Sequence, residues 1–157
     1  DVPAYLAMPQ SCGANTAPIA FAEVYLALQN GTVDAQENPL TTIEAKKFYE
    51  VQSNIALTGH IVDHLNTVVS GSRWASLSDE DKAIFTEVMQ EASVRASKIV
   101  REREAALVQT FKDKGIVVTE PDKQTFIDAV HKNKPVASMG FDQADFDAIQ
   151  AIPSSGS

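Results

Sequence analysis

The sequence predicts an α/β chain organised around one very long helix. Residues 78 to 114 carry apolar or small side chains at 84, 85, 88, 92, 96, 99, 100, 106, 107 and 111, and neither Gly nor Pro intervenes before Gly115. That is helical spacing. Shorter helical stripes punctuated by Asn-Gly and Asn-Pro precede it, and such pairs mark turns. Short runs rich in Val, Ile and Thr lie between the helices and read as strands.

The elements follow in order. Val2 to Gly13 reads as a short helix opened by Pro3 and stopped by Gly13. Phe21 to Gln29 places apolar residues at 21, 24, 25 and 28, a helical stripe that Asn30-Gly31 ends. Thr32 to Ala35 is expected to be a short strand. Pro39 suits the first turn of the next helix, where an N–H is not needed. Thr41 to Gln52, with Ile43, Lys46, Lys47, Phe48 and Val51, reads as one amphipathic helix. Ile55 to Leu57 and His60 to Ser70 are rich in Ile, Val and Leu and are expected to be strands. Ser78 with Asp81 three residues on is a capping-box pattern. It opens the long helix, roughly 54 Å at the standard rise, and Gly115 fits its C-cap. Ile116 to Thr119 follows as a strand, Asp122 to His131 as a helix capped by Asp122, and Phe141 to Ile152 as a weaker final helix. PSSGS is expected to fray. A helix of such length overruns the core of a small domain, so it is expected to cross two lobes or to pair with another chain. Its apolar spacing is not a strict heptad, and Arg95, Arg101, Glu102, Arg103 and Glu104 crowd one region, which argues against a coiled coil.

Composition narrows the function classes. The chain has 157 residues, 44% of them hydrophobic, the size and apolar content of one globular domain. A net charge of −8 argues against nucleic acid and anionic membrane surfaces as partners. The one cysteine, Cys12, permits neither a disulfide framework nor a zinc cluster within the chain; it is expected to be a core thiol. No apolar run approaches the ~20 residues of a membrane span. The first residue is Asp1 rather than Met, so the lack of a signal peptide leaves the compartment open.

Catalytic signatures are weak. Ser, His and Asp are present without a G-x-S-x-G arrangement. His60 and His64 flank Asp63, but in a strand their side chains would stand about 13 Å apart, too far for one metal ion. The seven glycines never cluster into a phosphate loop. No catalytic residue, metal site or cofactor is therefore expected. An enzyme built from His60, Asp63 and Glu37 is the remaining catalytic alternative, and a protein that dimerises through residues 78 to 114 is the interaction alternative. Gln36, Glu37, Asn38 and His60 offer neutral and acidic hydrogen-bonding groups near helix ends, with Phe21 at a helix start. That set suits recognition of a hydroxyl-rich or carboxylate ligand. Asn38 has a plainer reading too, since Asn-Pro starts turns.

The run APIAFAEVYLALQNGTVDAQENPLTTIEAKKFYEVQ resembles the signature of the extracytoplasmic solute-binding proteins of TRAP transporters, which capture C4-dicarboxylates, sialic acid and sugar acids. LTGHIVDH, SRWASLSDEDKAIF and KGIVVTEPDKQTF agree as well, so the resemblance covers roughly residues 1 to 150. It implies part of a two-lobed periplasmic-binding-protein fold with a long lobe-spanning helix. Residues 1–62 would supply the second-lobe and cleft segment, 63–77 a crossover, 78–114 the spanning helix and 115–157 the C-terminal strand and helices. Family members are about twice this length. Their hallmark arginine, whose planar fork pairs with the ligand carboxylate, lies in a motif just before the position of Asp1. None of Arg73, Arg95, Arg101 and Arg103 sits in such a motif, so the chain reads as the C-terminal half.

The resemblance also assigns roles. Asn38 matches an asparagine that hydrogen-bonds the ligand carboxylate, and Phe21 an aromatic that packs on the ligand. Glu37 and His60 match a cleft network that orients the arginine and water. Asp1 stands where sialic acid binders carry Asn, a departure that leans toward a uronate or similar sugar acid. Trp74 is expected to pack rather than touch ligand, and Tyr25, Leu26 and Leu28 to be core. The implied function is capture of an organic acid, a sugar acid or dicarboxylate, in the periplasm and its delivery to TRAP membrane permease subunits.

Overall fold

The computed structural model describes residues 2–153, so Asp1 and residues 154–157 of the expected tail lie outside it. Its elements in chain order are α1 (Pro3–Ser11), α2 (Val24–Gln29), α3 (Leu40–Ala45), β1 (Asn54–Ala56), α4 (Gly71–Ala75), α5 (Asp79–Asp113), β2 (Val117–Thr119), α6 (Lys123–Asn133) and α7 (Gln143–Gln150), with short 3-10 turns at Phe21–Glu23, Phe48–Glu50 and Val136–Met139. The chain divides into two compact units. The first comprises residues 1–21, 56–61 and 120–157; the second comprises 22–55 and 62–119.

In the first unit α1 packs on α6. Ala7 and Ser11 form the buried stripe of α1, and Asn133 Nδ2 donates to the Ser11 carbonyl at 2.9 Å. Cys12 is exposed, contrary to the expectation of a core thiol. It follows Ser11 as the C-cap of α1, one position off the i, i+4 stripe that faces the core. Asp122 caps α6 by accepting from the Gln124 amide at 3.0 Å, as expected, and the helix runs on to Asn133. Asp142 does the same for α7 through the Ala144 amide at 2.7 Å. The His131 and Phe146 rings meet edge to face, 6.0 Å between centroids.

The second unit holds the larger core: Ala27, Leu28, Leu40, Ile43, Phe48, Ile55, Leu107 and Phe111 are buried. β1 pairs with β2, and the Val117 amide donates to the Ser53 carbonyl at 3.0 Å. Tyr49 and Phe111 stack at a tilt with centroids 5.6 Å apart, and the Lys114 ammonium lies 4.9 Å from the Tyr49 ring centroid, a cation–π geometry. Of the three residues expected as core in α2, Leu28 is buried, Tyr25 is half-buried and Leu26 is 60% exposed. Trp74 is half-buried in α4.

Three expected elements differ. Thr32 to Ala35 is a turn, not a strand. The Thr32 and Val33 amides both donate to the Ala27 carbonyl, at 2.9 and 3.3 Å, so they close the end of α2 instead of joining a ladder. The expected helix over 41–52 stops at Ala45. Lys47 takes a left-handed backbone, φ 57°, and this turn directs Phe48 into the core at 1% exposure. The strand expected over 60–70 is absent among the described residues. The segment is rich in Ile, Val and Leu, but its apolar residues at 61, 62, 65, 68 and 69 do not alternate, and β1 and β2 are the described sheet, so it has neither the pattern nor the ladder partner of a strand. Val62 and Leu65 are accordingly 96% and 97% exposed.

α5 forms as the capping signals indicate. The Ser78 hydroxyl accepts from the Asp81 amide at 3.1 Å and donates to the Asp81 carboxylate at 2.7 Å. Gly115 ends the helix with φ 83°, a conformation glycine adopts without strain. Only Leu107 and Phe111 of its expected apolar face are buried, while Ile84, Phe85, Val88, Ile99 and Val100 are about half exposed. The helix is thus anchored by its C-terminal turns. Phe111→Ala in this chain should lower the unfolding free energy by about 3–5 kcal/mol. Val94→Ala, at a position 72% exposed, should change it by no more than about 0.5 kcal/mol. Urea unfolding of the two variants checks the contrast, and equal losses would contradict the anchoring.

Candidate functional site

Asn38 lies in the second unit, at the corner that leads into α3. Its approach is tied down locally. The Asn30 carbonyl oxygen of the side chain accepts from the Thr32 amide at 3.0 Å and from its hydroxyl at 2.6 Å, and Gln52 Nε2 donates to the Asp34 carbonyl at 3.2 Å. Asn38 Nδ2 then donates to Gln36 Oε1 at 2.7 Å. A carboxamide has two N–H donors and one carbonyl acceptor. The contact with Gln36 therefore uses one donor and leaves Asn38 one N–H to donate and a carbonyl oxygen, with two lone pairs, to accept.

The far side of the corner is held as firmly. Pro39 has φ −57° and ψ 150°, and its ring restricts Asn38 to extended backbone. The Pro39 carbonyl accepts from the Thr42 and Ile43 amides, each at 3.0 Å. Leu40 and Ile43 are buried. Glu104 of α5 reaches the first turn of α3: its Oε1 accepts from the Thr41 amide and the Thr41 hydroxyl, each at 2.9 Å. A carboxylate at that position satisfies an orphan donor of the helix and complements its dipole. At the other end of α3 the Arg103 guanidinium pairs with the Glu44 carboxylate, Nε donating at 3.0 Å.

Glu37 is exposed beside Asn38. Phe21 and His60 belong to the first unit, each in its own setting. Phe21 opens a 3-10 turn and is 48% exposed. His60 is half-buried, and its Nδ1 shares a 2.6 Å hydrogen bond with the Thr58 hydroxyl. The bond follows a tight turn in which the Thr58 amide donates to the Ala56 carbonyl at 2.9 Å. Gly59, which follows that turn, has φ +55°, a backbone that favours glycine. Asp1 lies outside the described residues.

The local pattern pointed to Asn38, Gln36 and Glu37 as a polar group. The roles of Glu104, Thr41, Arg103 and Glu44 had no signal in the sequence, because the partners of each pair stand 63 and 59 residues apart.

These positions can be set against known proteins. Residues 1–137 match the family model of the bacterial extracellular solute-binding proteins, family 7, DctP. The chain belongs to this family. Among solute-binding relatives, the sialic acid-binding periplasmic protein SiaP of Vibrio cholerae is 48% identical over 118 residues, which is 75% of this chain and 37% of that protein. The 2,3-diketo-L-gulonate-binding periplasmic protein YiaO of Escherichia coli is 36% identical over 119 residues, 75% of this chain and 36% of that one. The chain thus spans little more than a third of the length of these curated relatives. A TRAP periplasmic solute-binding protein of Polaromonas, with bound D-erythronate, superposes with a TM-score of 0.78 at 34% identity, over 94% of this chain and 49% of that one. The fold is therefore that of one part of the two-lobed TRAP solute-binding proteins, α/β with the long helix. Among the described residues no helix is long and apolar enough to cross a membrane.

The setting of the Tyr25 phenol alters its proton affinity. The Tyr25 hydroxyl donates to Glu50 Oε2 at 3.1 Å. That hydrogen bond, then partial burial, then the Glu50 charge hold the Tyr25 phenol above its usual pKa. A raised value favours the protonated phenol, so its stabilisation is complete below the usual tyrosine range and is lost as pH rises through the higher folded value. Glu50→Gln should bring the Tyr25 phenolate absorbance midpoint down toward the usual value; an unchanged midpoint would mean that Glu50 is not the cause.

Proposed function

We propose that the intact protein, this chain together with the remaining length of its relatives, captures a sugar acid in the periplasm and passes it to a TRAP membrane permease. The observation that carries the reading is the held carboxamide of Asn38 in a chain of this family. Asn38 Nδ2 is partly committed to Gln36, so one N–H and the carbonyl oxygen serve a ligand. The N–H suits a carboxylate and the carbonyl suits a hydroxyl. A polyhydroxy acid uses both, whereas a plain C4-dicarboxylate uses only the donor. The ligands named for the relatives, sialic acid, diketogulonate and erythronate, are acids that also bear hydroxyl or keto oxygens.

In this reading Phe21 supplies an apolar face for the ligand and Asp1 accepts from a ligand hydroxyl. Glu37 and His60 orient the carboxylate-pairing arginine and ordered water. Residues 1–62 contribute to one lobe and the cleft, 63–77 cross over, 78–114 brace both lobes, and 115–157 complete the C-terminal part. Closure follows a hinge. The ligand leaves chemically unchanged, so binding and release are the whole of the activity. The named relatives are periplasmic, which supports the compartment. A sialic acid ligand in place of a uronate is favoured by the 48% identity to SiaP, and the two are separated by one screen.

A thermal-shift panel of uronates, aldonates, sialic acid and C4-dicarboxylates on the intact protein should show one class of stabilising acid. A ligand at a hundred times its Kd adds about 2.7 kcal/mol. No shift with any acid would overturn the reading. With the binding acid in hand, Asn38→Ala should weaken affinity by about 1.5–3 kcal/mol, the range for a hydrogen bond to a charged group. Calorimetry with unchanged Kd would remove Asn38 from the site.

A further inference from the structure

We propose that Glu104, on the long helix, is a positioning residue for ligand capture: its carboxylate holds the corner from which Asn38 reaches the ligand. The inference rests on the reading of Asn38 as a ligand contact and extends it to a residue 66 positions away in the chain.

The geometry is specific. Glu104 Oε1 takes two hydrogen bonds from one residue, the backbone N–H and the side-chain hydroxyl of Thr41, both at 2.9 Å. Glu104 and Thr41 are half-buried, so water competes weakly and a charged acceptor counts for more than on an open surface. Thr41 is three residues from Asn38, and little freedom separates them. Proline fixes one torsion at Pro39, the Pro39 carbonyl is occupied by the Thr42 and Ile43 amides, and Leu40 is buried. A displacement of Thr41 therefore moves Asn38 instead of being absorbed between them. On its other side Asn38 is bound to Gln36 at 2.7 Å, so the carboxamide is set from two directions.

Glu104 also shares its helix face with the anchor of α5. Positions 104, 107 and 111 are spaced by three and four, one stripe, and Leu107 and Phe111 are buried at 1% and 0% exposure. The carboxylate is thus presented from a packed and immobile turn. Arg103 offers a control on the same helix. It pairs with Glu44 toward the end of α3 and supports the same helix pair without touching the turn that follows Asn38.

The test uses the intact protein and the acid found by the panel. Glu104→Ala should weaken binding about tenfold, while Glu104→Gln, which keeps an acceptor oxygen, should stay within about threefold. Arg103→Ala should leave Kd within about twofold although it loosens the same helices. In an Asn38→Ala background the Glu104→Ala loss should shrink to about twofold or less, because the two residues act through one contact. A purely structural role would give the same factor in both backgrounds and would overturn the proposal. So would unchanged binding by Glu104→Ala when the parent protein binds. Absence of binding by the parent protein would overturn the functional reading first, which keeps the two failures apart. Hydrogen exchange needs no ligand: the Thr41 amide should lose about tenfold in protection in Glu104→Ala, and unchanged protection would overturn the clamp itself. Should Glu104→Ala not fold, Thr41→Val removes only the hydroxyl contact and should show about a threefold loss with the same dependence on Asn38.

Discussion

Leu107 and Phe111 lie four residues apart on α5 and are both closed off from solvent, in the unit whose buried residues include Phe48, Ile43 and Leu40. Burial of that kind, roughly 1.5–3 kcal/mol for each large side chain, fixes the rotation of the helix about its axis. Once the rotation is fixed, Glu104 and Arg103 one turn earlier have no choice of direction. They meet α3 at Thr41 and Glu44. The polar contacts of α3 are thus a consequence of an apolar anchor, and the position of Asn38 follows from both.

The rest of α5 shows how little of a helix needs tertiary support to be recognisable. Ile84, Phe85, Val88, Ile99 and Val100 are about half exposed, yet the helix is continuous from Asp79 to Asp113. Ser78 closes its first turn and Gly115 its last, and between them nothing interrupts the backbone ladder. The same exposure marks residues 62–69, where Val62, Leu65 and Val68 stand in solvent. Both stretches belong to a chain that covers 49% of the related solved structure from Polaromonas.

Signals that act within a few residues were legible. The caps at Ser78, Asp122 and Gly115, the helix at Pro3–Ser11 and the short strand Val117–Thr119 fall where the residue types place them. Signals that depend on distant partners were not. The break at Lys47 exists because Phe48 must reach the core, and residues 60–70 join no ladder of the described sheet, which is β1 with β2. Of the proposed site, Asn38 and its neighbours were suggested by local chemistry and family resemblance, whereas the contact of Glu104 with Thr41 had no local signal.

By itself the sequence pointed to the family, to the caps at Ser78, Asp122 and Gly115 and to the polar residues of the Asn38 corner, because those depend on side-chain type and short spacing. The tertiary structure decided which carboxylate holds that corner, which face of α5 is buried, and that Cys12 and Leu26 point outward. The reason is physical. Hydrogen bonds across 63 residues and the selection of one buried stripe out of several are settled by packing, and packing is a property of the whole chain rather than of any window in it.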